Sequence, residues 1–238
     1  MSQEIILGLI TFFTSTIAGV VGLGGGMILI AVLPSFLPLN ALIPVHGISQ
    51  MTSNLSRAAF GYKDVKFEVI PKFLIGSIVG ISFFASILYI ISLEYVPLFI
   101  GTYILLSLWS KKFNEKLRKY ENYYLLGFFQ TGLSIVVGAT GPLTMTLLLK
   151  DYEDKDIVVS TAAALMSITH ILKVFAFMIF GFVFFDYIGI LFAMIIGAII
   201  GSWTGTKLRN VIDGKKFIMI LKVLLSLLAV KVIVSAFI

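Results

Sequence analysis

Hydrophobic residues in this chain gather in long runs separated by short polar stretches. Residues 5–21, 73–92, 95–110, 125–149, 157–185, 187–204 and 217–238 are apolar almost throughout, and a less apolar segment, 41–60, lies among them. Runs of about 20 apolar residues are long enough to cross the hydrocarbon core of a bilayer as helices. The pattern predicts an all-α integral membrane protein of about eight hydrophobic helical segments, with no soluble domain.

Composition agrees. Of 238 residues, 59% are hydrophobic and 13% charged, and the mean hydropathy is +1.06. A soluble domain carries roughly a quarter charged residues, so the outer surface of this one faces lipid. With no cysteine, disulfides, thiolate metal sites and thiol nucleophiles are excluded. Two histidines do not by themselves make a zinc site, so neither metal nor cofactor is expected. The start, Met1-Ser2-Gln3-Glu4, has no basic n-region, and no removable signal peptide is read there. The net charge of +6 is read as basic cytoplasmic loops rather than as nucleic-acid binding.

The position of the charges adds a topology. All acidic residues lie at or beyond the ends of hydrophobic segments. Three loops are basic: Lys63/Lys66/Lys72, Lys111/Lys112/Lys116/Arg118/Lys119 and Lys207/Arg209/Lys215/Lys216, whereas the stretch 150–156 is acidic by four to two. Eight simple spans would divide the loop bases almost evenly, eight against six. Three full crossings per half, plus one segment that enters and leaves on the same side, put twelve bases on one face against two on the other. The positive-inside rule favours the second arrangement. It predicts a multi-pass protein of the cytoplasmic membrane with both termini outside and the second half upside down relative to the first.

An internal repeat supports two halves. Leu7-Gly8 followed by Gly19 and Gly22 matches Leu126-Gly127 followed by Gly138 and Gly141 at a constant offset of 119. Gly76/Gly80 resembles Gly197/Gly201 at an offset of 121, and between them Asn54…Arg57 aligns with His170…Lys173. The expected organisation is a first transmembrane repeat at 1–110, a basic cytoplasmic linker at 111–123 and a second repeat at 124–238. Small residues four apart also serve plain helix packing.

Both repeats interrupt a hydrophobic run: Gly22-Leu23-Gly24-Gly25-Gly26 in the first, Gly138-Ala139-Thr140-Gly141-Pro142 in the second. Backbone groups freed at membrane depth must find partners in protein, water or ligand. A helix restarting at Met27 or Leu143 would aim unpaired N–H groups and a positive dipole end at an anion. The glycine run follows a helix-length apolar segment and lacks a phosphate-loop lysine, so a nucleotide loop is not read. Gly22, Gly24, Gly25, Gly26, Thr140 and Gly141 are therefore candidate substrate contacts.

Arg57 and Lys173 lie inside membrane segments, where a cation costs several kcal/mol unless it reaches water, a partner or a cavity. No carboxylate lies at a depth to neutralise them. Two readings are open for each: counter-charge for a bound anion, or snorkelling toward the headgroups. Asn54 and His170 precede them by one turn on the same face. Ser49, Ser53, Ser167 and Thr169 add donors, with back-bonding to their own helix as the alternative fate. For His170 a helix–helix hydrogen bond is the alternative reading, and if protons couple to transport it is the one titratable candidate. His46, near a segment start, is read as interfacial, and Lys222 and Lys231 as snorkelling or facing a groove.

These motifs resemble the sulfite exporter TauE/SafE family of membrane transporters. The likeness rests on the glycine cluster at 19–26, the following segment with Ser49 and Ser53, Tyr62-Lys-Asp-Val leading into the Gly76/Gly80 helix, and then residues 138–142, the polar helix running through Lys173 to Gly181, and Gly197/Gly201. The second glycine cluster departs from the family's triple glycine through Ala139 and Thr140. The resemblance implies a multi-pass carrier of sulfite, sulfonates and related oxyanions. The expected function is a secondary transporter of a small sulfur oxyanion by alternating access, with an anion channel as the alternative. An enzyme is not expected, since there is neither a buried acid nor a metal cluster. The expected partners are the anion, the bilayer and, as a possibility left open, a second copy of the chain.

Overall fold

The computed structural model describes residues 2–88, 93–118, 122–211, 214–234 and 237. Among them the chain is helical, with short 3-10 turns and no strand. In order, the helices are α1 (Gln3–Val21), α2 (Gly25–Val32), α3 (Leu39–Phe60), α4 (Ile70–Leu88), α5 (Val96–Trp109), α6 (Lys111–Arg118), α7 (Tyr123–Val137), α8 (Gly141–Asp151), α9 (Lys155–Ile179), α10 (Ile188–Leu208) and α11 (Gly214–Val234). Among the described residues, four stretches are long and apolar enough to cross a membrane: Gln3–Val21, Phe67–Ser86, Lys155–Ile179 and Phe184–Leu208. Shorter apolar helices, Gly25–Ser35, Val96–Trp109 and Tyr123–Val137, accompany them. The tail of the predicted segment 73–92 and part of the linker at 111–123 lie outside the described residues.

Glycine decides how the long helices meet. Gly8 lies against Ala193, Gly197 against the Gly8 carbonyl, Gly201 against that of Phe12 and Gly19 against Gly205, so α1 and α10 run side by side in the same direction. A Cβ built on Gly19 would stand 2.7 Å from the Gly205 Cα. Gly76, Gly80 and Gly127 do the same for α4 and α7, meeting Tyr124, Phe128 and Phe73 backbone. With no hydrophobic drive between helices in lipid, such close backbone approach supplies the attraction. Outward faces stay apolar, with Phe13, Val79, Phe192 and Leu227 all more than half exposed. α5 and α11 pair in opposite directions: Gly101 lies against Ala229 and Ile233, and Trp109 Nε1 donates to Ser226 Oγ at 2.8 Å.

Two hairpins turn back at the interruptions. Gln3 Nε2, at the start of α1, donates to the Phe36 carbonyl just past α2 at 2.5 Å. Tyr123 OH, at the start of α7, donates to Asp151 Oδ2 at the end of α8 at 2.7 Å. Each hairpin thus returns to the end from which it left. α2 is enclosed by the main core, its Leu29 and Ile30 packing with Leu42, Ile100, Met194 and Leu225.

The return of α8 corrects one expectation. The stretch 150–156 was expected opposite the basic loops, on the two-base side of the twelve-to-two division. Instead Lys155 Nζ donates to the Arg209 carbonyl at 2.7 Å, Asp156 pairs with Arg209, and Tyr152 OH donates to Glu68 Oε1 at 3.3 Å. Lys150 and Lys155 therefore sit at the same end as the loops after α3 and α10. The reason is that the apolar run 125–149 is a hairpin bent at Gly138, which packs against Ile30 of α2, and not a single crossing.

Candidate functional site

The hairpin turns are made by glycines in a backbone region that side chains disfavour. Gly22 has φ 85°, Gly24 φ 91° and Gly138 φ 78°. The second helices begin at Gly25 and Gly141, two residues earlier than Met27 and Leu143. Pro142 in the first turn of α8 explains the early start there, since its missing N–H needs no acceptor. The turns also interlock: a side chain on Gly22 would meet Val159 and Met145, and one on Gly138 would meet Ile30 of α2.

Between the two turns lies a cavity of about 20 Å³. Residues 22–27 line it from the first hairpin, Ala139 and Gly141 from the second, Gln50 and Arg57 from α3, and Met166 from α9. The first amides of α2 lack intrahelical acceptors, and this end of the helix carries its positive partial charge. Gly22, Gly24, Gly25, Gly26, Gly141 and Arg57 are thus brought together around one space.

Arg57 is 2% exposed. Its Nη2 donates to Asn54 Oδ1 at 2.5 Å, and Asn54 Nδ2 is itself anchored on the Gln50 carbonyl at 2.7 Å. Nε and Nη1 are buried without partners, and among the described residues no carboxylate pairs with the guanidinium. Asn54 orients the fork and leaves two donors over. Snorkelling is not what this side chain does.

Lys173 occupies the matching place but behaves differently. Its buried Nζ donates to the Gly138 carbonyl at 2.8 Å, at the C-terminal end of α7, where the helix dipole favours a cation. Lys173 does not line the cavity. His170 stands edge-on to His46, ring centroids 5.8 Å apart. His46 is not interfacial as its position near the segment start suggested: it is fully buried, with Nε2 2.9 Å from the Gly26 carbonyl. The short α2 folds back into the core and carries that carbonyl to it.

The remaining candidates tie helices together. Ser53 Oγ is 3.2 Å from Ser202 Oγ, joining α3 to α10. Thr169 Oγ1 shares a buried network with Gln130 and Thr131 of α7. Thr140 Oγ1 donates to the Gln130 carbonyl at 3.1 Å, behind the second turn. Ser49 Oγ is buried without a partner and does not line the cavity. Three residues escaped the sequence reading. Gln50 was legible, one turn before Asn54 and two before Arg57 on the same helix face. Gln130, polar inside an apolar run, carried a signal as well. Arg209 carried none, since it sits in a basic stretch at a helix end.

Interrupted hairpins inside a lipid-facing bundle, closing on a cavity lined by the buried Arg57, define a multi-pass α-helical membrane protein. Residues 7–232 match the family model described as Sulfite exporter TauE/SafE. The chain belongs to that family of membrane transporters. No curated protein and no solved structure matches it.

Proposed function

We propose that this protein is a secondary carrier of a small sulfur oxyanion, sulfite or an organosulfonate, working by alternating access between two inverted repeats. The observation that carries the proposal is Arg57: a buried guanidinium with two free donors, lining a cavity beside the amino end of α2. An oxyanion there would complete the fork and face the α2 amides. The repeats are residues 1–110 and 124–238. Helix directions support their inversion: the hairpin α1–α2 opens at the Gln3–Phe36 end, and α7–α8 opens at the other, where Tyr152 meets Glu68. A cavity of about 20 Å³ holds about one water. Binding an oxyanion therefore requires the hairpins to part, which is the motion alternating access uses. In this reading the termini lie outside and the basic loops inside.

The test is uptake into proteoliposomes of radiolabelled sulfite, with sulfate, isethionate and taurine as competitors. Arg57→Gln should raise the half-saturating sulfite concentration about tenfold or more, since a lost charged hydrogen bond is worth roughly 1.5–3 kcal/mol. Wild-type kinetics in that variant would overturn the site.

A further inference from the structure

Arg209, at the end of α10, is 1% exposed and uses its three guanidinium nitrogens unequally. Its Nε donates to the Gly19 carbonyl at 2.9 Å and its Nη1 to Asp156 Oδ1 at 2.8 Å, while Nη2 is buried without a partner. Asp156 is 39% exposed, and among the described residues its other oxygen accepts a single 3.4 Å bond, from Asn210. A carboxylate can take both donors of an arginine fork. This one takes a single donor and leaves the other buried and free.

The surroundings lead inward. Gly19, whose carbonyl Arg209 holds, lies between the cavity-lining residues Ala18 and Gly22. One turn after Asp156 on α9, Ser160 has a buried hydroxyl without a partner. That hydroxyl abuts Gly61, whose amide donates to the Arg57 carbonyl at 3.1 Å. Among the described residues, buried donors without partners thus occur at the end of α10, on α9 and on α3: Arg209 Nη2, Ser160 Oγ, and Nε and Nη1 of the cavity-lining Arg57.

We infer that Arg209 is an outer anion station on the route to Arg57, held by Asp156 until an incoming oxyanion exchanges for that carboxylate. The inference rests on the reading of Arg57 as the inner site. Exchange suits the energetics. Removing one partner from a buried pair strands the other charge, whereas replacing one anion by another does not. The displaced Asp156 is already partly in water and stays at the start of α9, where the helix dipole favours a negative charge. A pure latch tying the ends of α1, α9 and α10 would use the same ion pair, but it predicts a different response to mutation.

Sulfite titrated calorimetrically into the purified full-length protein separates the two. Asp156→Asn removes the competitor and should tighten sulfite binding at least threefold, while Asp156→Glu stays near wild type. In an Arg57→Gln background, Asp156→Asn should still bind sulfite, and adding Arg209→Gln should abolish that binding. Unchanged or weaker binding in Asp156→Asn would leave a latch and overturn the station, with the inner site untouched. Failure of the inner site shows separately, as Arg57→Gln binding sulfite like wild type. Should Asp156→Asn not fold, Arg209→Lys keeps the charge but loses the free donor. It should cut uptake at low sulfite at least threefold at an unchanged melting temperature, and wild-type uptake would overturn the proposal.

Discussion

Arg57 and Lys173 hold matching places in the two halves, yet their atoms are used differently. Asn54 anchors Arg57 by one nitrogen and frees two, whereas His170 stands at the equivalent place and turns to His46. Lys173 is committed to the Gly138 carbonyl at the end of α7. Lys173→Gln should therefore act mainly on stability, by about 1–3 kcal/mol for a stranded buried carbonyl, and less on sulfite affinity than Arg57→Gln. Melting temperature and half-saturation measured on both variants check this. A larger affinity loss in Lys173→Gln would return it to the binding site. Sequence showed two cations at membrane depth without a carboxylate. It did not show which one had a carbonyl to hold, because that carbonyl comes from a helix 35 residues earlier in the chain.

Among the elements, the two hairpins tolerate change unequally. A Cβ on Gly25 would collide with the Thr14 carbonyl of α1, a backbone atom that cannot step aside. On Gly141 it would meet only the Met166 methyl at 3.3 Å, the far end of a flexible side chain. Gly25→Ala should therefore lower the melting temperature markedly and abolish uptake, while Gly141→Ala retains most of both. Equal behaviour of the two in a paired melting and transport assay would refute this account of the turns. The interruptions were legible as glycine clusters inside apolar runs. Their starting points were displaced by two residues, because Gly25 and Gly141 accept helical geometry as soon as the turn is complete. That the run 125–149 reverses direction depends on what packs against Gly138, and so was not legible in composition.

Across the whole molecule, each half is built on the other. α1 lies along α10 and α4 along α7, through glycines that meet backbone. Ser53 of α3 is clasped to Ser202 of α10. A chain ending after residue 118 would leave the small-residue faces of α1 and α4 uncovered. Residues 1–118 expressed alone should be degraded or aggregate, and co-expression with residues 119–238 should restore a detergent-stable complex. A monodisperse, protease-resistant first half by itself would show the halves to be independent.

Sequence by itself determined the membrane, the helices and the paired interruptions, since each depends on local composition: apolar length, absence of charge and glycine where a side chain is disfavoured. Even the packing glycines were visible, because Gly76/Gly80 and Gly197/Gly201 repeat their spacing. Tertiary structure decided partnership. It brought 150–156 to the side of the basic loops, buried His46 against Gly26, gave Lys173 a carbonyl and Arg209 an aspartate, and left the cavity-lining Arg57 with two nitrogens unpartnered. The physical reason is range. Hydrophobicity and backbone preference act over a few neighbouring residues, whereas a buried polar group is satisfied only by what the folded chain sets beside it, 35 residues away for Lys173 and 190 for Arg209 on Gly19.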